Sequence, residues 1–569
     1  MRPEIQTTRG GGKPIERSAQ SSAPHHVLLF LIALRIVNAL SLQTFFQPDE
    51  FFQSLEPAWA IAFGEESGAW ITWEWRHQLR SSIHPVVFAA AYFMTSKMAD
   101  LFPISLAGRS ELLIAAPKVL QSLCAALGDY YTWKLASRVY GRHSMVSSTA
   151  LALTVCSPWQ WFCSTRTLSN CLETTLTVGA LYLWPWQWPG SVPEARGQGE
   201  VQQDRQPSPL EEDGPDQLDD NTRSLIVALS IVVDRLYYQQ WTFPPLRFLY
   251  FNIAQSLAVF YGRNDWHYYF SQGLPLLLTT CLPFGIVGIW YALRRTTPCA
   301  LTESEKELAI AIRYQLATTI VVVVIALSTI SHKEVRFIYP LLPALHLFAA
   351  EGLVGLLSSD VPSPPPVILQ GFKKSSKVLL TVILMANVVI ATYTSLVHQR
   401  GVISVLTFLR REHESQQLRS DQGSKDTSVG FLMPCHSTPW RSHLIHPSLQ
   451  GWALGCEPPV DLTGPERNTY VDEADRFYDD PPSFLQNEIT SPNDHPHLGW
   501  GNSSGLEGGG RTWPGYLVFF EQLESVLADH LSLQRPNVYR ECWRGFNTHW
   551  HDDWRRRGDV VVWCITDPS

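Results

Sequence analysis

Apolar runs about as long as a bilayer is thick recur from residue 27 to residue 397, and they restrict this chain to a polytopic bundle of membrane helices. The first, Val27–Phe46, has about 20 residues, enough to cross a hydrocarbon layer of ~30 Å. The others cover roughly 86–102, 111–135, 144–162, 168–188, 272–293, 311–330, 335–357 and 378–397. Each is broken by Pro, Gly or a basic cluster, where a helix is expected to end. Arg35, inside the first run, needs a partner or a route to the interface. The expectation is a mainly α fold in three parts. Residues 1–26 form a disordered cytosolic tail, 27–397 the multi-span membrane domain, and 398–569 a small α+β lumenal domain.

The mean hydropathy of −0.04 is low for a bundle because the third part is polar. Within it, Tyr516–Phe520 and Val560–Ile565 read as strands and Glu521–Leu533 as a short helix. No internal repeat is visible. A cleaved signal peptide is not expected, because the first apolar run is too long and no small-residue cleavage site follows it. Net charge is −8 and no basic stripe appears outside short loops, which argues against nucleic acid as a partner.

Basic residues orient the spans. Arg2, Arg9, Lys13 and Arg17 place the N-terminal tail in the cytosol. Arg294-Arg295 with Lys306, and Lys373-Lys374 with Lys377, read as cytosolic loops. Counting from either end puts the loop after Phe46, the His332–Arg336 junction and residues 398–569 on the lumenal side. The counts collide in the middle. Residues 189–223 are an acidic linker rich in Gly, Pro and Gln. The apolar run after it, Ser224–Val233, is too short to cross. Read as a re-entrant or interfacial segment, it leaves 189–270 lumenal and the orientation closes.

The ten cysteines separate by setting. Cys124, Cys156, Cys163, Cys171 and Cys281 lie in or beside apolar runs and are expected to pack there. Cys299 falls in a cytosolic loop. Cys435, Cys456, Cys542 and Cys564 lie in the polar C-terminal part without a CxxC pair, which disfavours zinc and favours one or two disulfides in an oxidising lumen. Asn502-Ser503-Ser504 is a glycosylation acceptor pattern pointing the same way.

Three polar constellations carry the chemistry. Asp49 and Glu50 end the first apolar run, where carboxylates are costly unless they face water, a partner or a substrate. Either is a carboxylate able to take a proton from an acceptor hydroxyl; the alternative is a helix-end pair bound to Arg76 or Arg80. Trp73-Glu74-Trp75-Arg76 and Arg80-Ser81-Ser82-Ile83-His84-Pro85 offer guanidinium groups suited to phosphate and indoles suited to a substrate. The alternative is an anchor among headgroups. His332-Lys333-Glu334-Val335-Arg336 packs cations into a junction with no room for a loop, where they either neutralise a leaving phosphate or form an ion-pair cluster with Glu334. The aromatics of 234–270 read either as an interfacial belt or as a sugar- or lipid-binding surface. No Walker loop, HExxH, nucleophile elbow or kinase signature is present.

These residues resemble a known family. Pro48-Asp49-Glu50 with Gln53-Ser54-Leu55-Glu56, Thr72-Trp73-Glu74-Trp75-Arg76, Arg80–Pro85 and His332–Pro340 are similar to signatures of the lumenal mannosyltransferases that use dolichyl phosphate mannose. Met433–Trp440, Cys456-Glu457-Pro458-Pro459 and Asp472–Tyr478 narrow the resemblance to the branch acting on glycosylphosphatidylinositol (GPI) precursors. The resemblance covers about residues 27–188 and 224–569.

It implies a GT-C-type enzyme of the endoplasmic reticulum membrane with its active site in the lumen. It also implies dolichyl phosphate mannose as donor, a GPI precursor lipid with two mannoses as acceptor, and an inverting α-1,2 transfer of the third. No metal and no cofactor are expected; protein partners are left open. Carried over by position, Asp49 is the base with Glu50 in support, and His332, Lys333, Arg336 and Arg80 face the donor phosphate. Trp73, Trp75, Arg76 and His84 contact substrate. One departure matters: between Asn170 and Asp234 the family has further membrane helices and an Arg-Pro-Thr signature, replaced here by the linker. A catalytically impaired homologue is therefore one alternative. A lipid or sugar transporter is the other, disfavoured by the long aromatic loop and the large lumenal part.

Overall fold

The computed structural model describes residues 23–186, 220–254, 260, 262–296, 303–357, 376–419, 427–460, 462, 466, 469–490, 511–534 and 538–565. The tail 1–22, most of the linker, Cys299 and the Asn502 acceptor site lie outside the described residues.

The fold is mainly helical, and among the described residues five helices are long and apolar enough to cross a membrane: Leu106–Tyr140, Tyr269–Leu293, Lys306–Ser328, Val335–Leu357 and an apolar stretch within Val378–Arg419. His25–Ser41 and Met145–Val155 are shorter apolar helices. Three runs differ from expectation. The first helix stops at Ser41, because the segment after it pairs in extended form with the end of helix Ser376–Leu396, Gln43 N donating to Ser395 O and Phe45 N to Gln399 O. Run 144–162 breaks where Pro158 opens a new helix, Pro158–Cys163. The short run Ser224–Val233 is the middle of a 19-residue helix, Asp220–Tyr238, whose Leu225, Ile226, Val227, Leu229 and Val232 are exposed.

Arg35 finds its partner across the bundle. Its Nε lies 2.6 Å from Asp129 Oδ2, both side chains are fully buried, and Asn38 accepts from its Nη1. The helices Leu282–Leu293 and Leu342–Leu357 touch backbone to backbone through glycine: a Cβ on Gly288 would strike the Phe348 carbonyl, and one on Gly352 the Phe284 carbonyl. Small residues at a crossing let membrane helices approach this closely.

After the last span, helix Gly401–Arg419 leads into a sheet. Its strands are β1 (Ser428–Leu432), β2 (Gln450–Ala453), β5 (Tyr516–Phe520), β6 (Tyr539–Thr548) and β7 (Gly558–Ile565), ordered β2-β1-β5-β7-β6; β3 (Ile489–Thr490) and β4 (Arg511–Thr512) form a separate pair. β1 runs parallel to β2 and β5, and β7 is antiparallel to β5 and β6. Both faces are buried, so alternate residues enter different cores. Val518, Phe520, Val560 and Val562 join Phe45, Phe51, Phe52, Trp59 and Trp70 of the loop after the first helix. Leu517, Phe519 and Val561 face Phe477, Phe484 and Leu527 of the covering helices. The loop and the sheet therefore share one core.

Two disulfides, Cys435–Cys456 and Cys542–Cys564, fasten the sheet region. Cys124, Cys156, Cys163, Cys171 and Cys281 are free.

Candidate active site

The chain leaves the first helix as an extended segment and turns at Pro48. Phe51 N and Phe52 N both donate to the Pro48 carbonyl, opening the π-helical turn Phe51–Leu55 and then helix Glu56–Phe63. Trp75 Nε1 donates to the Phe52 carbonyl at 3.0 Å, bracing this turn. The buried Glu56 carboxylate receives the backbone N–H groups of Trp70 (3.1 Å) and Ser442 (2.9 Å), tying the turn to the C-terminal region.

Asp49 and Glu50, neighbours in sequence, point to different partners. Asp49 Oδ2 lies 2.5 Å from Arg336 Nη1, and about a fifth of the Asp49 side chain is accessible. Glu50 is buried and accepts from Arg166 Nη1 at 2.9 Å. Arg166 also donates to the Thr44 carbonyl and hydroxyl and to the Phe162 carbonyl. Glu50 is thus part of the frame that holds the turn, while the Asp49 side chain stays partly accessible.

Arg336 is clamped between two carboxylates: its Nε lies 2.6 Å from Glu334 Oε2, and His332 Nε2 lies 3.1 Å from Glu334 Oε1. Burial pushes the Glu334 carboxyl up, but the His332 hydrogen bond and the Arg336 guanidinium outweigh it and bring the pKa down to about 2. Arg80 Nη2 pairs with Glu74 Oε1 at 2.9 Å. Burial opposes the Arg80 charge, Glu74 overcomes it, and Asp49 and Arg336 both act on the same guanidinium. Asp49, Arg336, Glu334, His332 and Arg80 therefore form one electrostatic cluster.

The other sequence candidates lie elsewhere. Lys333 is buried, its Nζ donating to the Asn264 carbonyl and its N–H to the Asn264 side chain. Trp73 and Trp75 are buried and offer no open face to a ligand. Arg76 pairs with Glu457 of the C-terminal region. His84 sits in the first turn of helix Ile83–Asp100 with its ring against Phe88, 5.0 Å between centroids.

Sequence reading missed Arg166 and Asp234 as members of this frame. The Asp234 carboxylate accepts from Ser81 Oγ, Ser82 N and Ser82 Oγ, pinning the Arg80–His84 segment. A lone Arg beside an apolar helix and a lone Asp inside one were the available signals, since each must be paired. Among the described residues, Cys435, His436 and Cys456 come close enough to suggest a metal site, but the two sulfurs are joined to each other and are not thiolate ligands.

A cluster with two partly accessible carboxylates, two guanidinium groups and an imidazole suits transfer of a group between an alcohol and a phosphate. The Alg9-like mannosyltransferase family matches residues 26–200 and 221–445. The GPI mannosyltransferase 3 of Aspergillus fumigatus is 48% identical over 96% of this chain and 78% of its own length. The human GPI alpha-1,2-mannosyltransferase 3 is 33% identical over 82% of this chain and 77% of its own. Among solved structures, ArnT from Cupriavidus metallidurans bound to undecaprenyl phosphate superposes with a TM-score of 0.47 at 13% identity, covering 97% of this chain and 99% of its own. With its signature regions and most of its length matched, this chain belongs to the Alg9-like mannosyltransferase family.

Proposed function

We propose that this chain transfers the third mannose of the GPI anchor, from dolichyl phosphate mannose to a precursor carrying two, with α-1,2 linkage and inversion, at the lumenal face of the endoplasmic reticulum membrane. The observation that carries the reading is the Asp49–Arg336 pair beside Glu334 and His332. It sets a base against a phosphate-binding cation. The names of the relatives support the choice of sugar and acceptor.

In this reading the donor phosphate competes with Asp49 for the Arg336 fork. Once displaced, Asp49 takes the proton of the acceptor hydroxyl. The hydroxyl oxygen bonds to the anomeric carbon as the bond from that carbon to the phosphate oxygen breaks. The leaving dolichyl phosphate is stabilised by Arg336 and His332, with Arg80 adding to the field. Glu334 fixes the angle of Arg336 and the tautomer of His332. Glu50, Lys333, Trp75 and Asp234 position these groups rather than touch substrate.

Membership of a mannosyltransferase family decides against the transporter. The impaired-homologue reading keeps one observation, the break in the family match between residues 200 and 221, where the linker falls. Microsomes containing the chain, given radiolabelled dolichyl phosphate mannose and a two-mannose acceptor, separate the two. The unmutated chain is expected to label the acceptor, and Asp49→Asn to lose about 10²–10⁴-fold in rate. Full activity in Asp49→Asn would overturn the base assignment; no labelling by the unmutated chain would establish the impaired homologue.

A further inference from the structure

The turn between β6 and β7, residues 549–557, has no part in the chemistry above, yet it reaches both sides of the site. Its Arg556 Nη2 donates to the Cys435 carbonyl at 3.2 Å. The neighbouring His436 ring packs on Phe52 and Trp70, with centroids 4.3 and 4.8 Å away, and Phe52 belongs to the turn that presents Asp49. Burial first, and Arg556 second, lower the His436 pKa to about 4, while Asp49 acts on the same ring in the opposite sense. On the other side, Tyr268 lies in the combined field of Glu334 and of Asp552 from the turn.

Two side chains of the turn are left with unused binding capacity. Arg555 takes both oxygens of Asp553, with Nε–Oδ1 and Nη2–Oδ2 each 3.0 Å. Arg556 has only a 3.5 Å share of the same carboxylate, and about a fifth of its side chain stays accessible. Its surroundings desolvate the cation more than Asp553 compensates it, which lowers its pKa. Trp554 is 56% exposed, its ring edge-on to Tyr478 at 6.3 Å. A guanidinium with one weak ion pair and, two residues away, an exposed indole are groups suited to a sugar bearing a phosphoester.

We propose that the β6–β7 turn is the acceptor wall of the active site, Arg556 binding a phosphoester of the acceptor glycolipid and Trp554 packing on one of its sugar rings. The assignment rests on the mannosyltransfer reading for the nature of the acceptor. The donor phosphate is given to Arg336 on the membrane-helix side; an inverting base needs the acceptor on the face away from that leaving group. Arg556 approaches from the sheet side, through His436 and Phe52.

The test uses the full chain in nanodiscs with Arg556→Gln, Arg556→Lys and Trp554→Ala. Arg556→Gln is expected to raise the acceptor KM about tenfold, the weight of one charge-assisted hydrogen bond, with donor KM unchanged. Arg556→Lys is expected to fall between, and Trp554→Ala to raise acceptor KM as well. Equilibrium binding of glycerophosphoinositol to the purified chain gives a readout without turnover and is expected to weaken in Arg556→Gln. Retention of both disulfides on non-reducing gels checks folding. A change confined to donor KM, or unchanged binding in a folded variant, overturns the proposal. If the unmutated chain transfers no mannose, the functional reading fails and the binding measurement still decides this one.

Discussion

Asp49 and Glu50 show how two adjacent identical charges acquire different roles from their partners. Glu50 ends in a buried ion pair with Arg166, 116 residues away in sequence, and its removal leaves a buried guanidinium without compensation. Glu50→Gln is therefore expected to destabilise by about 3–5 kcal/mol, read as a fall in the thermal midpoint of the purified chain. Adding Arg166→Met should recover part of that loss; a neutral single variant would show that Glu50 does not hold the frame. Glu334 makes a pH-dependent contribution whose sign follows from its lowered pKa. The carboxylate is ionised in both states above its ordinary value of 4.5, so its contribution is fully present there and is lost as pH falls toward about 2. The difference corresponds to roughly 3 kcal/mol. Glu334→Gln should remove that part of the acid limb of a stability–pH curve and leave the neutral limb's slope unchanged. The carboxylates were legible in the sequence, because acids at the end of an apolar run must be accounted for. Their partners were not, since nothing local to Asp49 or Glu50 names Arg336 or Arg166.

Elements were legible to the extent that one periodicity governed them. The apolar runs became helices, and Tyr516–Phe520 became a strand whose alternate residues enter two cores. Reading failed where backbone pairing between distant segments took over. Residues 42–46 belong to the same apolar run as the helix before them, but they leave it to pair with the end of Ser376–Leu396, a contact invisible to hydropathy. Trp73 and Trp75 look in sequence like open sugar-binding indoles and are instead buried braces. The contact of Leu282–Leu293 with Leu342–Leu357 supports a prediction at this scale. Gly288→Leu must push the two backbones apart or distort them, an overpacking cost of about 1–3 kcal/mol or more. The expected result is a lower midpoint of thermal aggregation in detergent, and a midpoint unchanged from the parent would refute the close crossing.

At the scale of the whole molecule, the Asp49–Arg336 pair constrains how the chain threads the membrane. Between these residues the described chain passes through Ile83–Asp100, Leu106–Tyr140, Met145–Val155 with its continuation Pro158–Cys163, Ser169–Leu183, Asp220–Tyr238, Tyr269–Leu293 and Lys306–Ser328. If every one crossed, the count would be odd and the two residues would lie on opposite faces. Their contact at 2.5 Å therefore requires an odd number of them to stay on one side. Ile83–Asp100 is the one to expect, because it starts at Ser82, fastened to Asp234 in the Asp49 loop system, and the next helix opens with Ser110 on Glu414 and Glu111 on Arg410 of the C-terminal region. The shared core of loop and sheet places the C-terminal region on that face as well. It follows that Ser169–Leu183 ends on the opposite face, where Arg138 at the far end of Leu106–Tyr140 donates to the Tyr182 and Trp184 carbonyls, and that Asp220–Tyr238 crosses back to the Asp49 face. Epitopes inserted at residues 205, 300 and 569 test this in sealed microsomes treated with protease. The last should be protected and the first two cleaved. Protection at both 205 and 569 would mean that Asp220–Tyr238 does not cross, and the threading that brings Asp49 to Arg336 would have to be redrawn.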